Sequence, residues 1–162
     1  MALHPTKNDL PEDVRTKMVA LLNARLADAL DLETQTKQAH WNVKGANFIA
    51  LHELFDDIHE DVGGYVDEIA ERAVQLGGQV HGTVRAAAGA SKLPEYPLNI
   101  SCSKEHVAAL SSALAAFGKL VRKAIDDSDQ AGDADTADLF TGVSRGIDKW
   151  LWMVEAHAQT EK

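Results

Sequence analysis

A single cysteine, Cys102, stands among the 162 residues, so no disulfide can close inside the chain and nothing points to an oxidising compartment. Proline is confined to positions 5, 11, 94 and 97, which leaves 12–93 and 98–162 free of the strongest helix breaker. No run of about 18 apolar residues occurs, and the first residues, MALHPTKNDLPEDV, hold no apolar stretch of the kind a signal peptide needs. The expectation is a soluble cytoplasmic protein with no membrane contact. Cations are outnumbered: 16 Lys and Arg face 25 Asp and Glu, for a net charge of −9. Such a chain gains little long-range attraction for nucleic acid, but its surface can draw in cations. The remainder is ordinary, since 45% hydrophobic and 25% charged residues fit a globule and exclude general disorder. The length suffices for one core without a structural metal, and residues 1–162 are read as one domain with a short N-terminal tail at about 1–9.

β-Branched residues are scattered, while Ala, Leu, Glu, Asp and Lys fill long stretches, which is helix composition. Asp9-Leu-Pro-Glu reads as an N-cap with proline near the first helical position. Val14, Met18, Leu21, Leu22, Leu26, Ala29 and Leu30 then recur at helical spacing as far as about His40. Asn42-Val-Lys-Gly45 breaks this helix. A second spans about Phe48 to Leu76 and ends at Gly77-Gly78. Residues 79–101 form a long connection with room for a short helix near Thr83–Ala88. A third helix, capped by Ser101 or Ser103, reaches about Ala124; an acidic turn, Asp126 to Asp133, precedes a fourth that carries Leu139, Phe140, Val143, Ile147, Leu151 and Val154. Two short connections and a long one in the middle predict an all-α four-helix bundle with a crossover between helices two and three.

The second helix carries His52 with Asp56 and Asp67 with Glu71. Each pair is i, i+4, so its side chains share a face about 6 Å apart. At about 100° per residue all four fall within one stripe, a mixed N/O set that suits first-row metals, iron among them. Yet Asp56 and Asp67 are roughly 16 Å apart along the axis, too far to share an ion in one chain. A two-fold axis between residues 61 and 62 removes the difficulty. An antiparallel copy then puts His52 opposite Glu71 of its partner and Asp56 opposite Asp67, a self-complementary contact. Glu60 and His59 would face Gly63 and Gly64 respectively, permitting close helix approach. His40, just before a short turn, could fold back to join His52 and Asp56, giving two sites per dimer about 22 Å apart. Spacing alone leaves open the plainer reading, solvated His–Asp pairs on an acid-rich helix.

Two stretches resolve that choice by resemblance. Lys37-Gln-Ala-His-Trp-Asn-Val-Lys-Gly45 followed by His52-Glu-Leu-Phe-Asp56, and Asp67-Glu-Ile-Ala-Glu-Arg72 with its glycines, resemble the signature of the Dps family, the bacterial mini-ferritins. The likeness runs on through Lys123-Ala-Ile-Asp-Asp-Ser-Asp and Asp148-Lys-Trp-Leu-Trp-Met. It implies a ferritin-like domain, a dodecameric hollow shell built from two-fold dimers, and a ferroxidase centre shared between subunits. The implied ligands are His40, His52 and Asp56 of one chain with Asp67 and Glu71 of the other. The implied reaction is oxidation of Fe²⁺, with hydrogen peroxide as favoured oxidant, and storage of a ferric oxyhydroxide core; other first-row divalent metals could occupy the site.

The resemblance also frames the remaining candidates. Trp41, beside His40, and Trp152 are candidate electron donors, with core or interface packing as the plainer role. The acidic turn is either a solvated loop that favours a helix dipole or, as the family implies, the lining of three-fold pores that admit iron, with Asp129, Asp133 and Asp138 as the chosen residues. His4, His81, His106 and His157 show no partner pattern, and Cys102 reads as an inert thiol. A different reading, a nucleoid-compacting DNA-binding protein with secondary iron oxidation, finds little support: Lys7 is the only basic residue among the first ten, and no basic arm follows the fourth helix. DNA binding is therefore expected to be weak at neutral pH and physiological salt.

Overall fold

The computed structural model describes residues 3–159. Met1, Ala2 and Thr160–Lys162, and with them the extreme ends of the expected tail and C-terminus, lie outside the described residues. Five helices follow in order: α1 Glu12–Asn42, α2 Phe48–Gln75, α3 Val84–Ala90, α4 Ser103–Ala131 and α5 Ala134–Ala156. No strand occurs among the described residues, so the chain is all-α; one isolated bridge ties Lys44 to Cys102. The long helices pack as α1 on α2 and α4 on α5, with α1 also against α4, and α3 lies over α1. This is the four-helix bundle with a central crossover that the pattern predicts. No described helix is long and apolar enough to cross a membrane.

The core is assembled from the periodic apolar positions. Met18, Leu22, Leu26 and Leu32 of α1 meet Leu51, Phe55, Ile58 and Ile69 of α2, with Leu110, Leu114 and Phe117 of α4 and Phe140 and Ile147 of α5. Each such side chain, fully shielded, contributes roughly 1.5–3 kcal/mol. Close approach is enforced at Gly146, where a Cβ would collide with the Tyr65 hydroxyl. The crossover is fastened by polar groups of α1. Buried Asp28 accepts from Arg25 Nε at 2.8 Å and from the Lys92 amide at 2.7 Å, and Gln35 donates to the Pro94 carbonyl at 3.0 Å. Burial pushes the Asp28 carboxyl above its ordinary pKa despite these partners.

Three local expectations are corrected. Asp9 does not cap α1; Pro11 occupies the N-cap position and no side chain caps there, because a proline fixed at extended geometry already delivers the chain into the helix. Cys102, between the two serines expected there, stands at the start of α4, and its amide donates to Glu105 Oε2 at 3.3 Å. The acidic turn is mostly helix. α4 runs seven residues past Ala124 because Ala124 and Ser128 continue its buried stripe while Asp126, Asp127 and Asp129 face outward to solvent or partial exposure. Gly132, at φ 83°, supplies the left-handed residue that ends it.

Candidate metal centre

The α1–α2 turn is short, and its position is set by α4: the Lys44 amide donates to the Ser101 carbonyl at 3.1 Å, and the Ser103 amide donates to the Lys44 carbonyl at 3.0 Å. This folds the end of α1 back onto the start of α2 and brings His40 to His52. Their rings stack with centroids 3.7 Å apart. The two histidines exchange hydrogen bonds, His40 Nδ1 with the His52 carbonyl at 2.8 Å and His52 Nδ1 with the His40 carbonyl at 2.9 Å. A carbonyl only accepts, so each Nδ1 carries a proton, and Nε2 is the nitrogen of each ring left to bind a metal. Fixing a ring through its distal nitrogen is how metal-binding histidines are commonly held.

Asp56 lies one turn beyond His52, with Oδ1 3.8 Å from His40 Nδ1. The Lys37 ammonium donates a hydrogen bond to the same oxygen. That bond holds the Asp56 carboxyl below its ordinary pKa; slight desolvation opposes the shift, and the nearby charges of His40, Lys37 and His59 assist it. The helical register did not single out Lys37, although it stands three residues before His40 on the same face of α1. The signal was available as a cation at i−3 from a candidate ligand.

Asp67 and Glu71 are exposed further along α2, and neither forms a hydrogen bond or ion pair among the described residues. Within one chain, no three His, Cys, Asp or Glu side chains among the described residues converge to hold a metal ion. His40 at the end of α1 thus meets His52 and Asp56 in the first half of α2, and Asp67 and Glu71 stand apart from them in its second half.

The other candidates separate. Asp129 and Asp138 are exposed. Asp133 is not available as a pore group: it is 1% exposed and accepts from Arg72 Nη2 at 2.7 Å, from the Thr136 amide at 3.1 Å and from Thr136 Oγ1 at 2.6 Å. It caps α5 and ties that helix to α2. Trp41 and Trp152 are 67% and 63% exposed, so neither packs in the core of the chain, while Trp150 is buried and donates from Nε1 to Asp61 Oδ2 at 2.8 Å. Lys7, His4, His81 and His157 are exposed, and Cys102 is a free, exposed thiol. His106 is buried beside Tyr96, whose hydroxyl meets its Nδ1 at 2.6 Å.

Known proteins carry the same architecture. A ferritin-like domain profile matches residues 19–162. The chain is 48% identical over 159 residues to a "DNA protection during starvation protein" of Agrobacterium fabrum, covering 98% of each. Among solved structures, Mycobacterium smegmatis Dps in a tetragonal form superposes with a TM-score of 0.92 at 31% identity, over 96% of this chain and 95% of that one. Dps from Microbacterium arborescens in the high iron form superposes with a TM-score of 0.85 at 30% identity, over 97% and 99%.

Proposed function

Because the chain belongs to the Dps family of ferritin-like proteins, we propose that it oxidises ferrous iron at centres shared between two subunits and stores the ferric product inside a closed homo-oligomeric shell, a dodecamer of two-fold dimers. Iron is the substrate. The observation that carries the reading is the reciprocal clamp of His40 and His52. It spends both Nδ1 protons on backbone carbonyls and leaves the two Nε2 positions for a metal, with the Asp56 carboxylate close to the pair, its Oδ1 3.8 Å from His40 Nδ1. The matching half, Asp67 and Glu71, lies exposed on the same helix at the position that a two-fold axis between residues 61 and 62 would place against the first half of a second copy. The relative described in a high iron form supports iron as the cargo.

The donor set explains the direction of the chemistry. Carboxylates are hard ligands that favour the ferric product, while two imidazoles hold ferrous iron without trapping it. Hydrogen peroxide accepts two electrons, one from each of two ferrous ions; its O–O bond breaks and two protons complete two waters. Pairing the electrons in this way bypasses the one-electron step that releases hydroxyl radical. The chain's own part is to hold the histidine tautomers, keep Asp56 ionised and present carboxylates to the oxidised ion. Asp129 and Asp138, exposed near the α4–α5 junction, are proposed to line the route by which iron enters. A net charge of −9 per chain disfavours duplex DNA as the main partner at physiological salt.

The test is ferrous iron added without oxygen to the assembled protein, then peroxide or oxygen supplied and ferric absorbance followed. Rapid oxidation by peroxide, with one peroxide consumed for two ferrous ions and the iron retained in the shell on gel filtration, is expected. Oxidation no faster than in buffer would overturn the reading.

A further inference from the structure

The clamp at His40 and His52 has a third counterpart that the proposed centre does not use. His59 Nδ1 meets the Glu33 carbonyl of α1 at 3.3 Å, and Glu33 Oε1 lies 3.9 Å from the same nitrogen. The carbonyl again fixes the proton on Nδ1, on the side where the Glu33 carboxylate lies, and leaves Nε2 as the ring's free nitrogen. Both side chains are partly exposed, 32% for His59 and 25% for Glu33. Glu33 also covers Gly63, where a Cβ would stand 3.3 Å from its Oε1, whereas Gly64 has open space around it. His59 and Gly63 are i, i+4 on the face of α2 that carries His52 and Asp56.

These positions lie beside the two-fold axis. His59 is roughly 4 Å from it along the helix, so the two copies of His59 in a dimer are only about 8 Å apart in that direction. Because Glu33 covers Gly63 and the proposed axis sets position 63 opposite position 60 of the other copy, that dimer would carry Glu33 of one subunit next to the partner's His59. Gly63 and Gly64 add no side chain of their own there, and Glu60 of the other copy stands opposite Gly63. We propose that Glu33 and His59 of both subunits form a further cation site on the dimer axis, midway between the two oxidation centres, that takes one divalent first-row ion. Two imidazoles and two carboxylates form a mixed N/O set that fits such an ion, and no single chain can supply it. The proposal rests on the two-fold dimer proposed above, but not on ferroxidase activity.

Cobalt(II) is the probe, since it binds such donors and can be counted without turnover. The assembled protein is equilibrated with Co²⁺, freed of excess, and bound metal per dimer is measured by elemental analysis, with light scattering to confirm assembly. His59→Gln and Glu33→Gln are each expected to bind one ion per dimer fewer than the native protein. His52→Ala is expected to lose other ions while retaining that one. If native protein, His59→Gln and Glu33→Gln bind equal numbers, the axial site does not exist, whatever the ferroxidase assay shows. If His52→Ala removes no ion while His59→Gln removes one, the axial site stands and the placement of the oxidation centre fails.

Discussion

At the scale of single residues, the ion pair between Lys37 and Asp56 sets a competition. The Lys37 ammonium occupies a carboxylate oxygen that a metal would use, so binding a cation at Asp56 displaces an existing one. Replacing Lys37 by Gln or Met is expected to tighten Co²⁺ binding about two- to five-fold, the scale of a partly exposed ion pair, as read by calorimetry. Weaker binding would instead show that Lys37 positions the carboxylate. His106 poses a different question, because burial pushes its pKa down while the Asn42 backbone and Glu105 pull upward without overcoming it. Its Nε2 has no partner meeting hydrogen-bond geometry among the described residues. A histidine with a depressed folded pKa adds stability that is present above the unfolded value, about 6.5, and is lost as pH falls through the folded one. Between about pH 7 and pH 5 the native melting temperature should therefore fall further than that of His106→Gln. The variant should be less stable at neutral pH, since it loses the bond to Tyr96, worth about 1 kcal/mol. Parallel curves for the two proteins would show that His106 does not titrate on unfolding.

At the scale of elements, the junction between α4 and α5 depends on Asp133. Its carboxylate caps α5 and neutralises Arg72, which is only 8% exposed and reaches across from α2. Asp133→Ala removes the cap and the nearer charge partner of a buried guanidinium, leaving it only the exposed Asp135 at 3.7 Å, a loss of about 3 kcal/mol. A drop in melting temperature of roughly 6–12 °C follows for a chain of this size. Asp133→Asn, which keeps an oxygen for the cap, should lose less; equal losses would mean that the cap contributes nothing beyond the ion pair. The same residue shows where reading the sequence stops. A pore carboxylate and a capping carboxylate look alike when several aspartates stand together, and only the arrival of Arg72 from 61 residues away distinguishes them. The end of α4 was hidden for a related reason, since outward acids on Asp126 to Asp129 mimic a turn while Ala124 and Ser128 quietly continue the buried stripe. By contrast, α2 was legible almost to the residue: apolar periodicity fills it, and Gly77 at φ 83° closes it. His52 and Asp56 are legible on the same helix through their spacing, whereas Lys37 meets Asp56 from another helix, 19 residues away in sequence, and no spacing within α2 marks that contact.

At the scale of the whole molecule, the separation of His40, His52 and Asp56 from Asp67 and Glu71 makes the function depend on assembly. In the proposed dimer each centre takes His52 from one subunit and Glu71 from its partner, which gives two centres related by symmetry. His52→Ala and Glu71→Ala homo-oligomers should each lose most peroxide-dependent iron oxidation, because both centres of every dimer are damaged. When the two variants are dissociated and coassembled in equal amounts, half the dimers are mixed. In a mixed dimer one centre receives native His52 and native Glu71, while the other receives both substitutions. Random pairing therefore predicts recovery to about one quarter of native activity, measured as the initial rate of ferric absorbance. Distinguishable mass tags on the two variants verify that mixed dimers have formed. Centres built within single chains would give no recovery at all from such a mixture, since every chain would still carry a damaged site.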